Sequence, residues 1–158
     1  MRRNNTLHNL TIFAAMLVVA LFMAGCNTQG DEALPEIPVA NILIQFKLDK
    51  LLVSSNYGGD IWVSPPAYGP ILHPGDQYVL EARAEALDRD GQRLQADFEW
   101  IPENPEMVVV SPAQGSQVTI TVLSEGRSIL KVTSQGFTKT LVIEAVYQNA
   151  AIRVTVSQ

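Results

Sequence analysis

The side chains here that could take part in chemistry are a single cysteine, Cys26, two histidines, His8 and His73, and a scatter of carboxylates. Nucleophilic catalysis needs a nucleophile, a base to activate it and a group to orient the base. His73 lies in His73-Pro74-Gly75 at the start of a strand, and no Gly-x-Ser-x-Gly elbow occurs in the chain. It reads as a surface turn histidine rather than a catalytic base. A zinc centre draws several His and Cys ligands, which one such histidine without a free thiol does not supply. Asp88-x-Asp90-Gly91 starts like a calcium loop but lacks the third acid position and the later bidentate glutamate. The same residues suit a hairpin turn. Glu99, Glu103 and Glu106 surround Trp100, as acids at strand ends that read as solvated. The residue inventory points away from an enzyme, and no metal or cofactor is expected.

Cys26 stands apart because its surroundings are specific. Arg2 and Arg3 precede an uncharged, mostly apolar run of 15 residues, Leu10 to Ala24, and the small pair Ala24-Gly25 abuts the cysteine. A basic start, a short apolar run and small residues before a cut site make a secretory signal. The run falls short of the roughly 20 residues that a spanning helix needs. An uncleaved anchor is the alternative, but such helices rarely end on Ala-Gly-Cys. Asn4-Asn5-Thr6-Leu7 match the twin-arginine route poorly, which favours the general secretory pathway.

The stretch Leu21-Phe22-Met23-Ala24-Gly25-Cys26 resembles the lipobox of bacterial lipoproteins. The resemblance implies that the Cys26 sulfur takes a diacylglycerol, that residues 1–25 are removed, and that the new amino terminus receives a fatty acyl chain such as palmitate. It also implies a lipid-anchored place in the cell envelope. Asn27 follows the cysteine, where an aspartate would signal inner-membrane retention in Gram-negative lipoproteins. That tilts the expectation towards the outer membrane there, or otherwise towards the outer face of the cell membrane.

Cleavage before Cys26 would leave 133 residues, one domain's worth, and would remove Arg2 and Arg3. Nine basic residues then face 16 acidic ones, a formal charge of about −7. Such a domain has no electrostatic footprint for nucleic acid. Anionic lipid would repel it, so membrane attachment must come from the acyl chains. With Cys26 lipidated no disulfide can form, and stability rests on a hydrophobic core.

Residues 27–40 read as a flexible tether, with Gly30, Pro35, Pro38 and no apolar period. From Asn41 the pattern turns to period two, with Ile42, Ile44, Phe46 and Leu48 on one face. The same alternation recurs over 77–87, 96–101, 117–123, 128–133 and 151–157, with a short apolar strand at 107–110 and a long strand at 137–147, separated by Asp-Gly, Asn-Pro, Glu-Gly and Gln-Gly turns. Seven or eight short strands without a helical period predict an all-β sandwich over 41–158. Residues 54–75 interrupt it with glycines, prolines and the aromatics Tyr57, Trp62 and Tyr68. Long loops of this kind are often functional. Their rings either cap one end of the sandwich or offer a contact surface for protein or sugar. Ile152 to Val156 reads as a last strand within the domain or as an addition to a neighbour's sheet edge. Asn149-Ala150-Ala151 before it looks poor for a tight turn.

From about Leu72 to Ala145 the chain resembles a bacterial immunoglobulin-like domain of the group 2 type. The matching residues are His73-Pro74-Gly75-Asp76, Phe98-Glu99-Trp100 with Glu103-Asn104-Pro105, Val108-Val109-Val110, and Glu125-Gly126-Arg127-Ser128-Ile129-Leu130-Lys131-Val132. Trp100-Ile101-Pro102 departs from the family's serine-rich sequence after the tryptophan. The resemblance implies an immunoglobulin-like sandwich with Trp100 and Phe98 in its core, set in cell-surface proteins, adhesins or accessory modules. The expected role is contact or assembly with another envelope protein; the alternative is adhesion to a surface glycan through 54–75.

Overall fold

A computed structural model of the protein describes residues 37–49 and 59–158, in a folded unit that spans Ile37–Gln158. The described residues form eleven strands, β1 (Asn41–Lys47), β2 (Trp62–Val63), β3 (Ala67–Pro74), β4 (Tyr78–Leu87), β5 (Arg93–Leu94), β6 (Glu99–Pro102), β7 (Val108–Ser111), β8 (Gln117–Val122), β9 (Gly126–Ser134), β10 (Phe137–Gln148) and β11 (Ala151–Ser157). The eight segments read as strands are all strands. Three further strands raise the count above the expected seven or eight. Two of these, β2 and β3, lie in the segment that reads as an irregular insertion. Gly69, Pro70 and Pro74 break the alternation there, yet Ala67–Pro74 pairs along β11 at the margin of its sheet. An edge strand tolerates proline because only one of its sides must donate to a ladder.

All pairings are antiparallel and fall into two sheets. The first runs β2-β1-β4-β8-β7, with β5 also on β4; the second runs β3-β11-β10-β9-β6. The order β1-β4-β8-β7 against β6-β9-β10 is the ABED against CFG arrangement of the constant-type immunoglobulin sandwich. Strands β2, β3 and β11 are additions to that frame. Strand β11 pairs with β10 on one side and with β3 on the other, so it is an internal strand of its own domain.

The alternation decides which side chains meet. Ile42, Ile44 and Phe46 of β1, Leu80 and Ala82 of β4, and Ile120 of β8 face Leu130, Val132, Leu141, Ile143 and Ile152 of the second sheet in one buried cluster. Trp100 (1% exposed) and Phe98 (4%) belong to it. Trp100 also donates from its indole nitrogen to the carbonyl of Gly115 at 3.0 Å, the partner that a buried indole requires. Val39 is buried too, and the Ala40 amide donates to the Leu87 carbonyl. The packed domain therefore begins before Asn41, inside the stretch that reads as tether.

Two tight hairpins set the register of the second sheet. Gln135-Gly136 joins β9 to β10, and Asn149-Ala150 joins β10 to β11, each with positive φ at both turn residues. Two-residue turns of this hand match the twist of the flanking strands. The expectation that Asn149-Ala150-Ala151 is a poor tight turn is thus corrected. Ala150, at φ 59°, carries a left-handed strain of about 1 kcal/mol. The seven paired positions from Gln148↔Ala151 to Val142↔Ser157 outweigh it.

Candidate contact surfaces

Cys26 and Tyr57 lie outside the described residues. The other two aromatics of the insertion, Trp62 and Tyr68, are not brought together. Tyr68 is 4% exposed, and its ring packs on Phe46 at 5.1 Å between centroids. Its hydroxyl donates to the carbonyl of Lys47 at 2.7 Å and accepts the amide of Asp49 at 3.1 Å. This residue serves the core and not a contact surface: it sits on an inward position of β3, and its one polar atom is used by the end of β1. Tyr78 reaches the same place and donates to the Asp49 carboxylate at 3.3 Å. Burial pushes both phenols above their ordinary range; for Tyr78 the neighbouring Tyr68 and the Asp49 carboxylate add to it.

Trp62 stands on the outer face of the first sheet. As part of two-residue β2 it pairs with Lys47 at the sheet margin. The Arg83 guanidinium lies 4.7 Å from its ring centre, a cation–π contact. Gln45 also holds that guanidinium, accepting from its Nε at 2.8 Å. Lys47 is fixed between Glu81 at 2.9 Å and Asp60 at 3.2 Å. Hydrogen bonds to Glu81 and then Asp60 raise its pKa. The result is a polar platform with one partly exposed indole, beside a shallow pocket lined by Lys47, Asp60 and Glu81.

His73 is a strand residue of β3, paired with Ile152, and not a surface turn. Its ring packs on Tyr78 at 5.5 Å, and among the described residues its buried Nδ1 meets no hydrogen-bond partner. The Asp88 carboxylate is taken up by its own turn, accepting the amides of Asp90 at 2.9 Å and Gln92 at 2.8 Å. Glu103 lies 3.5 Å from Lys131, while Glu99 and Glu106 are exposed. Among the described residues no three His, Cys, Asp or Glu side chains gather as metal ligands. A shallow pocket of about 490 Å³ opens between Asp97-Phe98-Glu99, Gln114-Gly115 and Thr133 to Gly136, with two exposed carboxylates and no cation in its wall.

The least expected surface is the outer face of the second sheet. Register places Leu72 of β3, Arg153 of β11 and Val146 of β10 in one row across three strands. Leu72 is 61% exposed and Val146 57%. Ile101 of β6 is a third exposed apolar side chain on this face, and Ile129 and Val142 are partly covered between them. One sequence signal pointed here. Outward positions of a half-buried strand are ordinarily polar, yet Val142 and Val146 share their face of β10 with Thr138, Thr140 and Glu144. The significance of Leu72 had no such signal, since its strand was not legible.

No protein-family model, no curated protein and no solved structure matches the chain.

Proposed function

We propose that this chain is a lipid-anchored cell-envelope protein, with an immunoglobulin-like module of the bacterial group 2 type, that acts by contact with another envelope protein and not by catalysis. The Leu21 to Cys26 lipobox supports the anchor, with Cys26 as the lipidated residue. The observation that carries the contact is the row of Leu72 and Val146, the most and third most exposed large apolar side chains among the described residues, on either side of Arg153. Exposed aliphatic side chains gathered on one sheet face mark interaction surfaces more than scattered ones do.

Two experiments test this reading. Labelling with a palmitate analogue should mark the wild type and not Cys26→Ser, which should also keep its leader or leave the membrane fraction. Extraction of the wild type in mild detergents should recover one stoichiometric partner, which Val146→Glu loses without a change in melting temperature. Monomer alone in every detergent would overturn the contact reading. A surface glycan is the second reading, favoured by the partly exposed indole of Trp62 on its polar platform.

A further inference from the structure

Most charges on the outer face of the second sheet are already matched. Arg127 faces Glu144 at 3.4 Å and Lys131 faces Glu103 at 3.5 Å. Glu99 lies on β6, at the far margin from β3. Arg153 is different: among the described residues no carboxylate pairs with it, and its row neighbours are Leu72 and Val146. Strands about 4.8 Å apart place these two residues about 10 Å from each other with Arg153 on the strand between them. The chain as a whole carries a formal charge of −5; Arg153 is the charged residue of this row, and the nearby Glu125 carboxylate accepts the Tyr147 amide.

An arginine framed by apolar side chains is a recognisable anchor. Its guanidinium is always charged, weakly hydrated for a cation and shaped to grip a carboxylate with two parallel bonds. Arginine is enriched at interface centres, where surrounding apolar contacts exclude water and strengthen the pair. We infer that the Leu72–Arg153–Val146 row is the docking centre for a partner protein that presents a carboxylate flanked by apolar side chains. This rests on the contact reading above and adds the face and the chemistry of the partner. A second copy of this chain fits less well, because stacking the patch on itself brings Arg153 against Arg153.

The test uses the full-length lipidated protein in its native membrane. A photo-crosslinking amino acid is placed at position 146, or at Gln117 on the outer face of the first sheet as a control. Position 146 should give one adduct with a different protein and position 117 none. The crosslinked peptide should carry Asp or Glu beside apolar residues. Arg153→Glu should cut the adduct roughly tenfold, the scale of one well-placed interface contact, while Arg153→Lys retains part of it. Reversal of the partner's carboxylate to lysine should restore the adduct to Arg153→Glu. The melting temperature of each variant shows that it is folded. An adduct indifferent to Arg153→Glu, a basic or uncharged partner peptide, an adduct with a second copy, or no adduct from position 146 overturns the inference. If the partner still co-purifies but crosslinks only from position 117, this face is wrong and the contact reading survives. If no partner co-purifies at all, both fail.

Discussion

The hydroxyl of Tyr68 donates to the backbone carbonyl of Lys47 at 2.7 Å, tying β3 of one sheet to β1 of the other. The same oxygen accepts the Asp49 amide, so one side chain from the insertion serves two backbone groups at the end of β1. Tyr68→Phe keeps the ring on Phe46 and removes both bonds. Stability should fall by about 1–2 kcal/mol, the cost of leaving such groups unpaired. Tyr68→Ala should cost about 3–5 kcal/mol, since a buried aromatic is lost as well. Urea denaturation of the two variants separates the contributions. An effect below about 0.5 kcal/mol for Tyr68→Ala would show that the ring is not part of the core.

The tyrosine pair also sets an alkaline limit. Burial raises the pKa of Tyr68 and Tyr78 in the folded chain, while the unfolded phenols titrate near 10. A raised folded pKa means that the native state holds the proton more tightly. The resulting stability is complete below about pH 10 and is lost as pH rises from there towards the folded values. Melting temperature should thus fall steeply above about pH 10. Tyr78→Phe, which cannot ionise, should flatten that decline while losing its hydroxyl's contacts with Asp49 and Tyr68. An equally steep decline in Tyr78→Phe would assign the alkaline limit elsewhere.

Backbone strain at the β10–β11 hairpin offers a stabilising change. Ala150 sits at φ 59° in a position that glycine takes without cost. Ala150→Gly should raise stability by about 0.5–1 kcal/mol, visible as a higher denaturation midpoint with an unchanged slope. Gly69 behaves in the opposite way. Its φ is 110°, and an added Cβ would lie 2.6 Å from the Val154 carbonyl oxygen, where β11 shifts register against β3. Gly69→Ala should therefore destabilise, or lift β3 off its neighbour. Faster amide exchange at Ile71 and His73 than in β9 would report that lifting.

Trp62 makes its contacts outside the core, against Arg83. Trp62→Ala should cost only about 1 kcal/mol of stability, the value of an exposed cation–π contact with some lost packing. The same variant decides the glycan reading. Wild-type binding on a glycan array that Trp62→Ala abolishes would support it; binding that persists would remove the indole from any sugar site.

The limits of legibility differ between the two sheets and the insertion. Alternation of apolar residues along 117–122 or 137–147 reports which face of a strand is buried, because successive side chains point to opposite sides. Phe98 and Trp100 alternate in the same way within 96–101, and both are buried. Within 59–75 the same code is broken by Gly69, Pro70 and Pro74, so Tyr68 looks like a loop aromatic although its ring lies under the sheet. Binding candidates chosen by residue type alone could not separate it from Trp62. Only the side of the chain on which each one falls does that.

The amino-acid order alone determines the local matters: the apolar stretch that ends at Cys26, the acidic charge, the period-two strands and the glycine turns. Each depends on residues close together in the chain. Tertiary structure decided the rest. It placed β3 beside β11, turned Tyr68 inward and lined up Leu72, Arg153 and Val146 from three strands. Leu72 and Val146 are 74 positions apart, and no local pattern encodes a row that exists only once antiparallel ladders have set the register. The physical reason is that strand pairing is non-local.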